Sequence, residues 1–211
     1  MDINKIIENL KNNNMDAYYV TNKAEALALT EKLLKKGDTI SCGGSVTLSE
    51  VGIDKLMRNG DYNFLDRSKP GLTADQIDEI YAKTFTADAY LCSANALTEK
   101  GELINVDGRA NRVSAITYGP KSVICVVGVN KIVKDIKEGF RRVKTVAAPL
   151  TTKRLGCNTP CAKTGVCIAV DGDIADGCMS DQRICASYVI CGRQRLVNRI
   201  KVIIVDEKLG Y

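Results

Sequence analysis

The run from Ala24 to Thr47, Ala-Glu-Ala-Leu-Ala-Leu-Thr-Glu-Lys-Leu-Leu-Lys-Lys-Gly-Asp-Thr-Ile-Ser-Cys-Gly-Gly-Ser-Val-Thr, decides the class of fold. Ala26, Leu27, Leu29, Leu33 and Leu34 recur on one broad helical face. Gly37-Asp38 then turns the chain into a short β-branched and polar strand, Thr39-Ile40-Ser41-Cys42. Ala17-Tyr18-Tyr19-Val20 precedes the helix as another strand, so the unit is strand, helix, strand. Gly43-Gly44-Ser45 follows directly and leads into a second helix through Glu50, Val51, Ile53, Leu56 and Met57. A turn of this kind aims backbone N–H groups and the positive end of a helix dipole at whatever sits above the strand, usually an anion. Glycines in that place also serve the turn alone.

The same alternation continues on both sides. Ile3, Ile6, Ile7 and Leu10 mark a helix before the first strand. Tyr62 to Leu65 reads as a strand, Thr73 to Phe85 as a helix, and Ala87 to Cys92 as a further strand. Ser122 to Val129 is the most apolar strand and belongs in the centre of a sheet, while Ile200 to Asp206 closes the pattern. Between these two, Val133 to Thr152 reads as one long helix that Pro149 should bend or break. The expectation is an open, mostly parallel α/β sheet with helices on both faces, built as a single domain over residues 1–211.

Composition narrows the function. The 211 residues carry 45% hydrophobic side chains and a net charge of +5, with no run of apolar residues long enough to span a membrane and no signal peptide pattern at Met1 to Lys5. A cytoplasmic protein without a membrane partner is expected. Basic residues gather at Arg141, Arg142, Lys144, Lys153 and Arg154 and again at Arg193, Arg195, Arg199 and Lys201. Three Phe and no Trp leave little to stack on bases, so nucleic acid is not the expected partner. A small anionic ligand suits the charge better, and self-association is left open.

Two constellations carry the chemistry. After Cys92, where parallel sheets hold their ligands, the chain turns polar: Asn95, Asn105, Asp107, Asn111 and Arg112 concentrate amides, a carboxylate and a guanidinium. With Gly43, Gly44 and Ser45 they form a candidate substrate site, Arg112 offering a planar fork for a carboxylate. The other reading is an Asx-rich hairpin whose side chains cap their own turns. The sequence contains no histidine, so acid and base work falls to other groups, with Glu50 and Glu102 as candidates. Cys42, Cys92 and Cys125 read as core fillers.

Six of the nine cysteines, Cys157, Cys161, Cys167, Cys178, Cys185 and Cys191, lie within 35 residues. In a reducing compartment such crowding points to a metal or iron–sulfur loop, spanning residues 156–191, and not to disulfides. The spacing C-x3-C-x5-C-x10-C-x6-C-x5-C lacks the paired knuckles of a zinc ribbon and differs from a bacterial ferredoxin run. Zinc on four thiolates stays an alternative.

Ser41-Cys42-Gly43-Gly44-Ser45, Asn95-Ala96-Leu97-Thr98, Gly101-Glu102-Leu103-Ile104-Asn105-Val106-Asp107-Gly108, Asn111-Arg112-Val113, Tyr118-Gly119-Pro120, Val126 to Lys131, and Pro160-Cys161 through Thr164-Gly165 to Arg183-Ile184-Cys185 together resemble the lactate-utilisation (LUD) domain family. The resemblance covers nearly the whole chain. It implies a fold like ribose-5-phosphate isomerase and CoA-transferases, and a role in lactate or related 2-hydroxy acid utilisation beside iron–sulfur partner proteins. It also implies a [4Fe-4S] cluster on Cys161, Cys167, Cys178 and Cys185, with Cys157 as the substitute for Cys178. Three functional readings follow: an iron–sulfur protein of 2-hydroxy acid oxidation, a non-redox [4Fe-4S] hydratase, dehydratase or sulfur-transfer enzyme with an open iron, and a zinc-stabilised regulatory or adaptor domain.

Overall fold

The computed structural model describes all of residues 1–211. In chain order the strands are β1 (Asp16–Val20), β2 (Thr39–Cys42), β3 (Asn63–Phe64), β4 (Ala89–Cys92), β5 (Ala96–Thr98), β6 (Leu103–Asp107), β7 (Ser122–Gly128), β8 (Ile132–Val133), β9 (Ser187–Cys191) and β10 (Ile200–Val205). The helices are α1 (Ile3–Asn12), α2 (Lys23–Leu33), α3 (Val46–Val51), α4 (Ile53–Met57), α5 (Ala74–Thr84), α6 (Asn111–Thr117), α7 (Ile136–Arg142), α8 (Ala148–Arg154) and α9 (Pro160–Thr164).

Six strands form an open sheet in the order β1-β10-β7-β4-β2-β3, parallel at every pairing. β7 lies inside it, as its apolar run predicts, because a strand covered on both faces must be hydrophobic at every position. Its side chains alternate between two cores. Val123, Cys125 and Val127 pack with Ile6 and Leu10 of α1 and Ile116 of α6. Ile124 and Val126 pack on the other face with Ala26 of α2, Leu48 of α3 and Ile53 of α4. Each fully buried aliphatic chain here contributes roughly 1.5–3 kcal/mol relative to exposure.

A second sheet, β8-β5-β6-β9, is built on the strand that the alternation of Glu102 to Asp107 foreshadows, while its other three strands were not read from the sequence. β5 and β6 form a hairpin, β9 adds antiparallel to β6, and β8 adds parallel to β5. Leu97, Leu103 and Cys191 turn from it into the core shared with β7 and β10. Ala96, Ile104 and Val106 turn the other way, onto Phe140, Val143 and Ala148. The hairpin reading of residues 95–107 is therefore met, and the segment 187–191 within the cysteine-rich stretch is a strand.

The long helix starts later than expected, at Ile136, because Ile132–Val133 pairs with β5 as β8. Pro149 does not break it, because a π turn at Val143–Ala147 joins α7 to α8 through residues with helical backbone angles. The π turn shifts the hydrogen-bond register just ahead of the proline, so Pro149 sits in the first turn of α8, where a missing N–H is tolerated. No helix is long and apolar enough to cross a membrane.

Candidate functional site

The carboxyl ends of β2, β4 and β7 open into a cleft of about 790 Å³. Gly43, Gly44, Ser45, Asn95, Asp107, Asn111 and Arg112 all line it, so the structure brings together the residues that the sequence singled out from three separate stretches. Asn105 stands immediately behind the wall, almost fully buried. Six basic and three acidic residues face the space, which favours anions.

Arg112 is the keystone of that wall. Its Nε donates to Asp107 Oδ1 (3.0 Å), its Nη1 to the Ser93 carbonyl (3.1 Å) and Asn105 Oδ1 (2.6 Å), and its Nη2 to Asn95 Oδ1 (2.9 Å) and the Val106 carbonyl (2.8 Å). A guanidinium has five N–H groups, and all five are used within the chain. Asp107 completes the motif by accepting the Val113 N–H (2.9 Å), capping α6 from the preceding strand. Asn95 likewise accepts the Val106 N–H (2.9 Å). The expected carboxylate fork is thus a structural tie between β4, β6 and α6 and has no donor left for a substrate. Gly43 is needed for the same reason: a Cβ there would stand 2.9 Å from Arg112 Cδ and 3.2 Å from the Tyr90 hydroxyl.

Ser45 Oγ accepts the Leu48 N–H (3.3 Å) as the cap of α3, which is only six residues long. Its dipole is correspondingly small. Glu50 and Glu102 lie outside the cleft. The Glu50 carboxylate accepts the Gly210 N–H (2.7 Å), and Glu102 accepts the Thr98 hydroxyl (2.7 Å) at the hairpin turn. Both are tied to local backbone architecture and not to the ligand space. Cys42 lines the cleft, but burial pushes its thiol up to about 11, so it is protonated at neutral pH.

One residue that the sequence reading passed over stands in the cleft wall. Lys131, in the short turn after β7, is 2% exposed, and its Nζ donates to Thr47 Oγ1 (2.8 Å) and Ser93 Oγ (2.9 Å). Burial first, then the positive charges of Arg142 and Arg112, pull its pKa down to about 7. The available signal was a lysine set directly at the carboxyl end of the most apolar strand.

The cysteine-rich segment builds a separate pocket. Cys161, Cys167, Cys178 and Cys185 line one small cavity together with Val143, Lys144, Ala148, Pro160 and Ile168. Thr159 caps α9 through the Ala162 N–H (3.3 Å), which sets Cys161 in its first turn, beside the hydroxyls of Thr159 (3.4 Å) and Thr152 (3.5 Å). Two cations clasp the loop. Lys144 Nζ donates to the carbonyls of Ala169 (2.7 Å), Gly172 (3.3 Å) and Asp173 (2.6 Å). Arg183 donates to the carbonyls of Ala175 (2.6 Å), Cys178 (3.3 Å) and Cys185 (3.0 Å). Cys157 is outside this cavity, its N–H bonded to the Thr152 carbonyl (2.9 Å), and Cys191 is buried on β9 with its thiol pushed up to about 11.

Four thiols, the ligand type that iron–sulfur groups take, line the cavity with apolar walls and two adjacent cations, and as the side chains stand they enclose about 10 Å³. No three Cys, Asp or Glu side chains gather closely enough to hold a single metal ion. The pocket and the cleft share Ala148 as a common wall, and Ile184, next to Cys185, faces the cleft.

The LUD domain model matches residues 3–205. No curated protein matches this chain. Among solved structures, a DUF162 family protein from Deinococcus radiodurans is 19% identical, with 97% of this chain and 99% of that one aligned at a TM-score of 0.44. Ribose 5-phosphate isomerase A from Methanocaldococcus jannaschii is 16% identical, with 82% and 80% aligned at 0.39. eIF2B beta from Chaetomium thermophilum is also 16% identical, with 55% and 44% aligned at 0.38. With a family model spanning all but the terminal residues, the chain belongs to the LUD domain family.

Proposed function

We propose that this protein is an iron–sulfur protein of lactate or related 2-hydroxy acid utilisation, holding a [4Fe-4S] cluster on Cys161, Cys167, Cys178 and Cys185 and a small carboxylate in the neighbouring cleft. The observation that carries the reading is the convergence of those four cysteines, spread over 25 residues of chain, on one cavity that shares a wall with the anion-favouring cleft. Thiols distributed around a cavity suit a cubane, whose irons sit at separate corners and take one thiolate each. When bound, such a cluster supplies one-electron transfer.

The chain's own residues do the rest. The excess of basic residues draws the acid into the cleft, and the Arg112 network holds the wall rigid, so that binding carries little cost in reordering. Lys144 and Arg183 offset the negative charge that four thiolates bring. Oxidation of a 2-hydroxy acid to the 2-oxo acid releases a pair of electrons, while a cubane passes them singly. The reading therefore includes iron–sulfur partner proteins that accept them. The test is iron, sulfide and zinc content with an absorption spectrum on protein purified without oxygen. About four iron and four sulfide per chain are expected for a cubane; zinc alone would overturn the reading in favour of a structural metal.

A further inference from the structure

Of the basic groups in the cleft wall, Arg58 pairs with Asp66, Arg109 with Asp78, and Arg112 is saturated. Arg67 and Arg154 donate to the hydroxyls of Tyr81 (2.8 Å) and Tyr211 (2.6 Å) near the rim. Lys131 shares with Arg67 and Arg154 a lack of any carboxylate partner, both of its own partners being neutral hydroxyls, and differs from them in its burial: it is among the largest fully buried side chains. Thr47 Oγ1 in turn donates to the Leu209 carbonyl (3.2 Å), which fixes it as an acceptor toward the lysine. Glu50 is near enough to be felt electrostatically but gives its carboxylate to Gly210. A buried ammonium with no counter-ion costs several kcal/mol, so this position is stable when it gives up its proton or gains an anion.

We propose that Lys131 anchors the carboxylate of the cleft's ligand, a small monocarboxylic acid of the 2-hydroxy or 2-oxo type. This deepens the hydroxy-acid reading given above and rests on it for the ligand's identity, though not for its charge. The geometry supports the role in three ways. Nζ uses two hydrogens on fixed acceptors, leaving its third tetrahedral position for a ligand. The two hydroxyls come from α3 and from the end of β4, so the anchor is held by the scaffold and not by a mobile loop. Arg142, which donates to the Asn95 carbonyl (2.6 Å), adds positive potential without approaching as a competing partner. Because the amine titrates at about 7, an arriving carboxylate draws the proton onto it near neutrality.

The test is equilibrium binding of lactate, pyruvate and the uncharged lactamide to the intact protein, to Lys131→Met and to Lys131→Gln. Wild type should bind both acids, and lactamide about tenfold to a hundredfold more weakly, the range expected for a charge-assisted hydrogen bond. Both variants should lose the same factor for the acids and leave lactamide unchanged. Unaltered acid binding by the variants overturns the anchor and leaves the hydroxy-acid reading standing. If wild type binds neither acid but binds acetate or inorganic phosphate in a manner that Lys131→Met abolishes, the anchor is supported and the hydroxy-acid assignment fails. Wild type that binds none of these anions overturns the anchor. A second measurement needs no variant: reductive methylation with formaldehyde at neutral pH, read by peptide mass, should modify Lys131, and saturating acid should protect it. Modification that saturating acid does not slow overturns the proposal even if the variants fail to fold.

Discussion

The cleft and the cysteine pocket share a wall at Ala148 and are built on opposite principles. In the cleft, the conspicuous polar residues are spent on one another: Arg112, Asp107, Asn95 and Asn105 close a network that ties β4, β6 and α6 together. In the pocket, the conspicuous residues are thiols outside any disulfide, with Cys161 touched by hydroxyls, and inconspicuous ones, Lys144 and Arg183, hold the loop by its carbonyls. Chemical reactivity and hydrogen-bond capacity therefore separate. A side chain rich in donors tends to be recruited into structure, while thiols, which bond weakly, stay available for a soft metal.

The largest effect should fall on the pocket. Cys161→Ser or Cys178→Ser should abolish the iron and sulfide content of anaerobically purified protein, whereas Cys157→Ser should retain it in full; equal loss in all three variants would dissolve the distinction between lining and flanking cysteines. The next effect concerns the buried amine of the cleft. Lys131 titrates at about 7 when folded and at about 10.5 when unfolded, so between these values the unfolded chain holds one more proton and stability rises with pH. The rise is at most about 5 kcal/mol, each pKa unit being worth about 1.4 kcal/mol. Below about 7 both states are charged and the slope vanishes. Arg142, Arg112, Glu50 and Cys125 act on the group electrostatically, and the buried thiols of Cys42 and Cys191, pushed up from 9.0 to about 11, oppose the rise at the alkaline end. Denaturant unfolding from about pH 6 to about pH 8.5, below the range in which the thiols titrate, should show the slope in wild type and lose it in Lys131→Met.

Arg112→Met should cost about 3–5 kcal/mol, since it strands Asp107 and two Asn oxygens at a site where the ion pair is largely buried. Loss of thermal stability is the measure. A near-neutral result would return Arg112 to the role of a substrate fork. The smallest change belongs to Glu50→Gln and Glu102→Gln, which remove charge from groups bonded to a backbone N–H and a hydroxyl at the periphery. Each should alter stability by less than about 1 kcal/mol and leave acid binding intact. A large drop in turnover would instead bring one of them into the chemistry.

The main sheet was legible because its strands are apolar on both faces and are punctuated by glycine turns, a pattern that survives without tertiary information. Of the second sheet only β6 was legible, from the alternation of Glu102 to Asp107, and its other strands were hidden for physical reasons. β8 has two residues, β5 has three, and β9 sits within the cysteine-rich stretch, where Ser187 to Val189 are half-buried, Ile190 is exposed and only Cys191 is buried. The polar residues of the cleft were found by composition, but their partners were not, since saturation of Arg112 depends on carbonyls of Ser93 and Val106 that no side-chain pattern announces. Lys131 escaped because one charged residue after a strand reads as the edge of a helix until its burial is known.

The π turn at Val143–Ala147 has a consequence best put as a matter of phase. One residue more than an α-helix requires turns everything after it by about 100° about the axis. Lys144 at the start of the turn clasps the cysteine loop, while Ala147 at its end and Ala148 and Thr151 after it face the cleft. Removing a single residue from the turn would leave the helix intact and swing its second half off the cleft. The extra residue acts as the gear that lets one rod present different sides to two chambers.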